Sequence, residues 1–233
     1  MFSPGYLAIL VIFMITSFIV SRTLKSKFKK YSETPLASGL SGKEVAERML
    51  SDHGITDVQV FSVEGKLTDH YNPKDKTINL SEAVYHGKNA AAAAVSSHEC
   101  GHAVQHATAY SWLTLRSTLV PIQAASSRIF NVILFVCFIG GQFLFETFPI
   151  TLVGVIIVGT YAVLTLFSFV TLPVEFDASN RALAWIDKHN VVTASEYDMS
   201  KDALKWAART YVVAAISSLV MLLYFAFSFF GRD

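Results

Sequence analysis

The run Ser97-His98-Glu99-Cys100-Gly101-His102 carries the H-E-x-x-H pattern: two histidines four residues apart, with a glutamate beside the first. On a helix, residues at that spacing share a face, with Cβ atoms roughly 6 Å apart. Two imidazoles placed so can both reach one Zn²⁺ at about 2.0–2.1 Å. Glu99 then stands where a carboxylate can take a proton from a water activated at the metal. The chemistry implied is zinc-assisted hydrolysis, with His98 and His102 as ligands and Glu99 as general base. Cys100 lies two residues from each histidine and so points off their shared face. It and Cys137, which sits in an apolar run, read as small buried residues. Two cysteines make no disulfide framework.

A catalytic zinc usually takes three protein ligands and keeps a position open to water. His106 continues the series at i+8, but eight residues rise about 12 Å along a helix, too far for one ion. It is expected on the helix surface or behind the ligands. The metzincin arrangement needs a Gly and a third His where this chain has Gln105 and Thr108. The better third ligand is Glu175, in Leu172-Pro173-Val174-Glu175-Phe176-Asp177-Ala178. A carboxylate so close to an apolar span calls for a partner, and zinc is one; a His₂Glu set has precedent. The other reading is an acidic residue in the first turn of a helix that begins near Pro173, favoured by the helix dipole. Asp177 and Arg181, four apart, pair with each other, or else Asp177 holds a histidine ring from behind. His70, Tyr71, His86 and Arg181 are candidates for steadying a developing oxyanion by residue type alone.

The element carrying the motif is expected as a helix over 89–107, whose alanines 90–94 favour helix and close helix packing. Its continuation, 108–120, should stop before Pro121. Upstream, 31–38 reads as a linker. Ser41 and Glu44 form a capping box for a helix over 42–53 ended by Gly54. Strands are expected at 58–63 and, after the Asn72-Pro73-Lys74-Asp75 turn, at 77–80. The second strand offers either an edge for substrate pairing or plain structure.

The rest of the chain is apolar. Hydrophobic residues make up 52% and charged residues 16%, with 18 Phe in 233 residues. Four spans are expected, at 2–20, 129–145, 150–172 and 211–230, each near the length that crosses a hydrocarbon core of about 30 Å. Arg22, Lys25, Lys27, Lys29 and Lys30 follow the first span, and Arg181, Lys188, Lys201, Lys205 and Arg209 lie between the third and fourth. The loop Glu146-Thr147-Phe148-Pro149 has no basic residue. This bias puts both basic segments on the cytoplasmic side and both termini outside. A net charge of +1 gives no field to gather nucleic acid. The expected organisation is a first span in 1–20, a metalloprotease part in 21–128, a membrane hairpin in 129–172, a helical part supplying the third ligand in 173–210 and a last span in 211–233. The expected fold is therefore a mainly α membrane protein: four transmembrane helices with a zincin-like domain, containing a small β-sheet, on the cytoplasmic side.

The run 97–106 together with Pro173-Val174-Glu175-Phe176-Asp177-Ala178-Ser179 resembles the bacterial membrane-bound neutral zinc metallopeptidases of the YugP-like family, over nearly the whole chain. The layout is also similar to the HtpX and Ste24 membrane proteases, of the gluzincin-like group, in which the pattern is Glu-x-x-x-Asp and the Glu binds zinc. Position four after Glu175 is here Ser179, not Asp. The resemblance implies a zinc endopeptidase with one Zn²⁺ per chain, multi-pass in the bacterial cell membrane, acting on a protein or peptide and not on nucleic acid. The alternative class is a non-catalytic membrane adaptor whose zinc, if any, is structural. Substrate preference and oligomeric state leave no mark in the sequence.

Overall fold

The computed structural model describes residues 3–231, with side chains for all of them except 138 and 141–147. Phe2, at the head of the first expected span, and Arg232-Asp233, expected outside the membrane, lie beyond the described residues. In chain order the elements are α1 (Pro4–Ser32), α2 (Gly42–Asp52), β1 (Gln59–Val63), β2 (His70–Asn72) and β3 (Thr77–Ser81). They continue as α3 (Glu82–Tyr85), α4 (Ala90–Ala107), α5 (Ser111–Thr147), α6 (Ile150–Lys188) and α7 (Ala194–Phe230). Two compact units form. One takes the chain up to Ile19, Leu115–Leu172 and everything from Thr210 on; the other takes Val20–Thr114 and Pro173–Arg209.

The first unit is the membrane part. Four helices, α1, α5, α6 and α7, are long and apolar enough to cross a bilayer, with windows of mean hydropathy 1.6 to 2.3. Large side chains such as Ile12, Phe18, Phe135 and Phe227 are exposed on them, a surface that water would penalise and lipid accepts. A helix also satisfies its own backbone, which lipid cannot do. Inside this unit Tyr6 packs against Tyr224 and Phe225, each at 5.9 Å between ring centroids, and Tyr161 meets Phe225 at 5.2 Å.

Two prolines do not act as stops. Pro121 lies inside α5 and Pro173 inside α6. Proline removes one backbone bond, and an apolar helix absorbs that loss by local adjustment. The break expected at Pro121 comes earlier, at Ala109, whose φ is +49°. There Tyr110 N–H donates to Gln105 O and Ala109 N–H to His106 O, the paired bonds of a Schellman ending. With alanine rather than glycine in the left-handed position, no residue type announces it. Gly54 and Asn190, at φ +68° and +52°, end α2 and α6 in the same way and are the residue types expected there. α5 is itself broken at Gly140 (φ −149°, ψ 46°), within the second expected span.

The second unit is built on α2 and α4. The capping box at Ser41 and Glu44 is present, and Val45, Met49 and Leu50 face inward as expected. They pack with Ile78 and Leu80 of β3, with Ala92, Ala93, Cys100, Ala103 and Val104 of α4, and with Trp185 and Ile186 of α6. Each such aliphatic side chain, fully buried, is worth roughly 1.5–3 kcal/mol. The alanines at the start of α4 are all buried, which lets neighbouring backbones approach. The expected linker is partly helix, since α1 runs on to Ser32; Lys27 and Tyr31 both bond Asp202 of α7. The three-stranded sheet has the order β1-β3-β2, with β1 parallel and β2 antiparallel to β3. The expected strand at 77–80 is therefore central. It is paired on both sides and offers no edge; the outer strands are β1 and β2.

Candidate metal centre

His98 and His102 sit one turn apart on α4, and Glu175 comes from α6 within the same unit. What brings the helices together is Gly101, the residue before the second histidine. A Cβ there would lie 2.5 Å from the Ala178 carbonyl oxygen, so α6 passes against bare backbone. One turn back along α6, Glu175 then faces the two rings. Glu175 is 3% exposed. Its Oε2 is 3.4 Å from His98 Nε2 and 3.7 Å from His102 Nε2, and one donor atom from each of the three lies within 4.8 Å of the others. Donors at zinc-ligand distance around one tetrahedral ion stand about 3.3 Å apart. The two carboxylate–imidazole separations, 3.4 and 3.7 Å, are near that value, and the group could hold a metal ion. The first-turn reading of Glu175 does not hold, because the residue lies deep inside α6.

Hydrogen bonds fix the rings. Gln105 Nε2 donates to Val174 O and to Asp177 Oδ2, both at 2.8 Å. That settles the amide orientation, so Gln105 Oε1, 3.0 Å from His102 Nδ1, must accept from it. The Nε2 lone pair of His102 is thereby turned to the cluster. His98 Nδ1 meets Ser179 Oγ at 3.1 Å, which directs its Nε2 the same way. Asp177 in turn accepts from Arg181 Nε at 2.6 Å, and the Arg181 guanidinium lies 5.7 Å over the Tyr110 ring. Asp177 thus pairs with Arg181, as one reading expected; it touches no histidine directly, and its link to His102 runs through Gln105.

Burial alone would push Glu175 up, but bonds to His102 and His98 hold its carboxyl well below the usual range. Burial opposes protonation of His102, but the bond and charge of Glu175 outweigh it and raise the ring above its ordinary value.

Glu99 is buried beside the first histidine, and its Oε2 accepts the Tyr71 backbone N–H at 2.9 Å. His106 is one turn beyond His102 and stays out of the cluster; its Nδ1 is 2.7 Å from the Tyr71 hydroxyl. The remaining oxyanion candidates are engaged elsewhere: His70 Nδ1 bonds Thr68 O, and His86 packs edge-on to Tyr85. Cys100 is fully buried with its thiol toward Ala46 O, and burial pushes it well up. Sequence reading missed Gln105 and Ser179 as ring supports. The signal for both was spacing: three residues after His102, and four after Glu175.

Comparison with known proteins agrees with this geometry. The family described as "Putative neutral zinc metallopeptidase" matches residues 6–230. "Putative membrane protease YugP" of Bacillus subtilis (strain 168) is 39% identical over 218 residues, covering 93% of each chain. No solved structure matches. The chain belongs to the neutral zinc metallopeptidase family, and the donor set of two imidazoles and one carboxylate suits the Zn²⁺ that the family's description names.

Proposed function

We propose that this member of the neutral zinc metallopeptidase family is a membrane-bound endopeptidase in which His98, His102 and Glu175 hold Zn²⁺ and Glu99 is the general base. The observation that carries the reading is the convergence of three buried donors from α4 and α6 within 4.8 Å of one another, with Glu99 beside them. Zinc, when bound, supplies Lewis acidity toward the scissile carbonyl and lowers the pKa of the attacking water. The rest is the work of the chain. Glu99 takes the proton of that water and passes it to the leaving amine. The Tyr71 amide fixes the Glu99 carboxylate at 2.9 Å, and Gln105 and Ser179 fix the two rings. Three protein donors are grouped among the described residues, a number suited to an open catalytic site rather than a closed structural one.

The substrate is a protein or peptide. The basic residues at 22–30 and 181–209 support a catalytic unit on the cytoplasmic side with both termini outside. The test is metal analysis of the purified full chain in detergent together with cleavage of casein. One zinc per chain and turnover that a chelator stops and zinc restores are expected. Bound zinc with no turnover would instead identify the adaptor.

A further inference from the structure

We propose that Tyr71 is a positioning residue for Glu99 and that His106 is the clasp that keeps it in place. The inference rests on the peptidase reading above. Tyr71 is the middle residue of β2, a three-residue outer strand paired only with β3 among the described strands. It touches α4 at two points. Its backbone N–H donates to Glu99 Oε2 at 2.9 Å, and its hydroxyl lies 2.7 Å from His106 Nδ1. Glu99 and His106 are seven positions apart on one helix, so the two anchors lie on the same face roughly 10 Å apart along the axis. A strand that makes both contacts cannot slide along α4 or tilt from it without breaking one of them.

One side of the ring packs against the buried cluster of α2, β3 and α4. A half-open cavity of about 190 Å³ also borders Tyr71, lined with it by Ala103, His106 and Ala107 and by Ile55, Asp57, Val58 and Lys76. An empty flank leaves the phenol free to swing unless a directed bond restrains it. The contact with His106, at 5.9 Å between ring centroids, is that bond. Burial and the Asp57 carboxylate push the phenol up, so the hydroxyl keeps its proton and stays a hydrogen-bonding partner for His106 Nδ1. Loss of the hydroxyl contact would leave β2 with one of its two anchors on α4. It would loosen the amide that aims the Glu99 carboxylate, while His98, His102 and Glu175 kept their own supports.

The experiment compares Tyr71→Phe, His106→Ala, His106→Asn and the Tyr71→Phe/His106→Ala double variant with the unaltered chain, each zinc-loaded and full length in detergent. Two quantities are read: steady-state cleavage of casein, and amide hydrogen exchange over residues 70–72. Either Tyr71→Phe or His106→Ala should lower kcat about tenfold with KM and zinc content unchanged, since misplacement of a reacting group by about 1 Å costs up to a hundredfold. Exchange at 70–72 should quicken while that of α4 holds. The double variant should be no worse than either single one, and His106→Asn, which keeps an acceptor, should recover part of the rate. A rise in KM at constant kcat, losses that multiply in the double variant, or unaltered exchange would overturn the clasp. Should the unaltered chain cleave nothing, the peptidase reading fails, and the exchange data alone still decide whether His106 holds β2.

Discussion

Ser179 Oγ stands 3.1 Å from His98 Nδ1, one turn after Glu175 on the same helix. A residue at Glu175+4 faces the same way as Glu175, so whatever occupies it meets the ring that Glu175 meets. A hydroxyl does the holding here, without adding a second negative charge to a buried site. The carboxylate of the network is Asp177, which reaches the other histidine through Gln105.

Removal of either ring support should weaken the metal and leave the fold. Ser179→Ala and Gln105→Ala each free one imidazole to rotate, and partners of this kind typically contribute 10–100-fold to metal affinity. Competition with a chromophoric chelator should show that loss in each variant. Gln105→Ala should be the larger, because it also strips a donor from half-buried Asp177 and from the Val174 carbonyl.

Glu99→Gln should keep zinc and lose turnover. The amide preserves size and can still accept the Tyr71 N–H, but it cannot take a proton. General-base catalysis typically contributes 10²–10⁴-fold, and casein cleavage should fall by that order at unchanged zinc content. Retained turnover would remove Glu99 from its role.

Gly101→Ala tests the approach of the two helices. The added methyl would meet Ala178 backbone at 2.5 Å, and backbone cannot rotate away as a side chain can. Overpacking of this kind costs about 1–3 kcal/mol. Thermal unfolding should drop, and zinc affinity should fall with it, since Glu175 rides on the displaced helix. A variant as stable as the parent would show that α6 tolerates the shift.

The metal-free site has a predictable response to pH. Glu175 is depressed, so its contribution is present above the ordinary carboxylate range and is lost as pH falls through its folded value. His102 is raised, so its contribution is full below about 6.5 and is lost as pH rises through its folded value. Both describe one interaction, which is strongest in mildly acid solution. Zinc needs the neutral imidazole, so uptake near pH 6 should release a proton from His102. Calorimetry in buffers of different ionisation heat would measure it, and Glu175→Gln should diminish it.

The chain's local chemistry was legible because it is written at short range. The Ser41/Glu44 capping box and the helix carrying His98, Glu99 and His102 follow from periodicity, and the structure has them; reach spoke against His106, and Glu175 is the residue grouped with the two histidines as a possible metal site. Apolar length alone pointed to four membrane helices. Errors came where one residue type has two uses. Pro121 looked like a stop and Pro173 like the exit of a span or the start of a new helix, yet both lie inside helices, and Ala109 ended a helix without looking as if it would.

Sequence by itself determined which groups could bind a metal and which could move a proton, since those depend on side-chain chemistry and on spacings of three or four along a helix. Tertiary structure alone decided the partners. Gly101 had to lie against Ala178 before Glu175 could face the rings. Strand order had to place β3 in the centre before β2 could become the edge beside Glu99. Gln105, Ser179, Tyr71 and His106 acquire their roles only through contacts 28 to 81 residues apart or through neighbours that such contacts fix. Contacts of that separation are chosen by how whole elements pack, a choice no local pattern encodes.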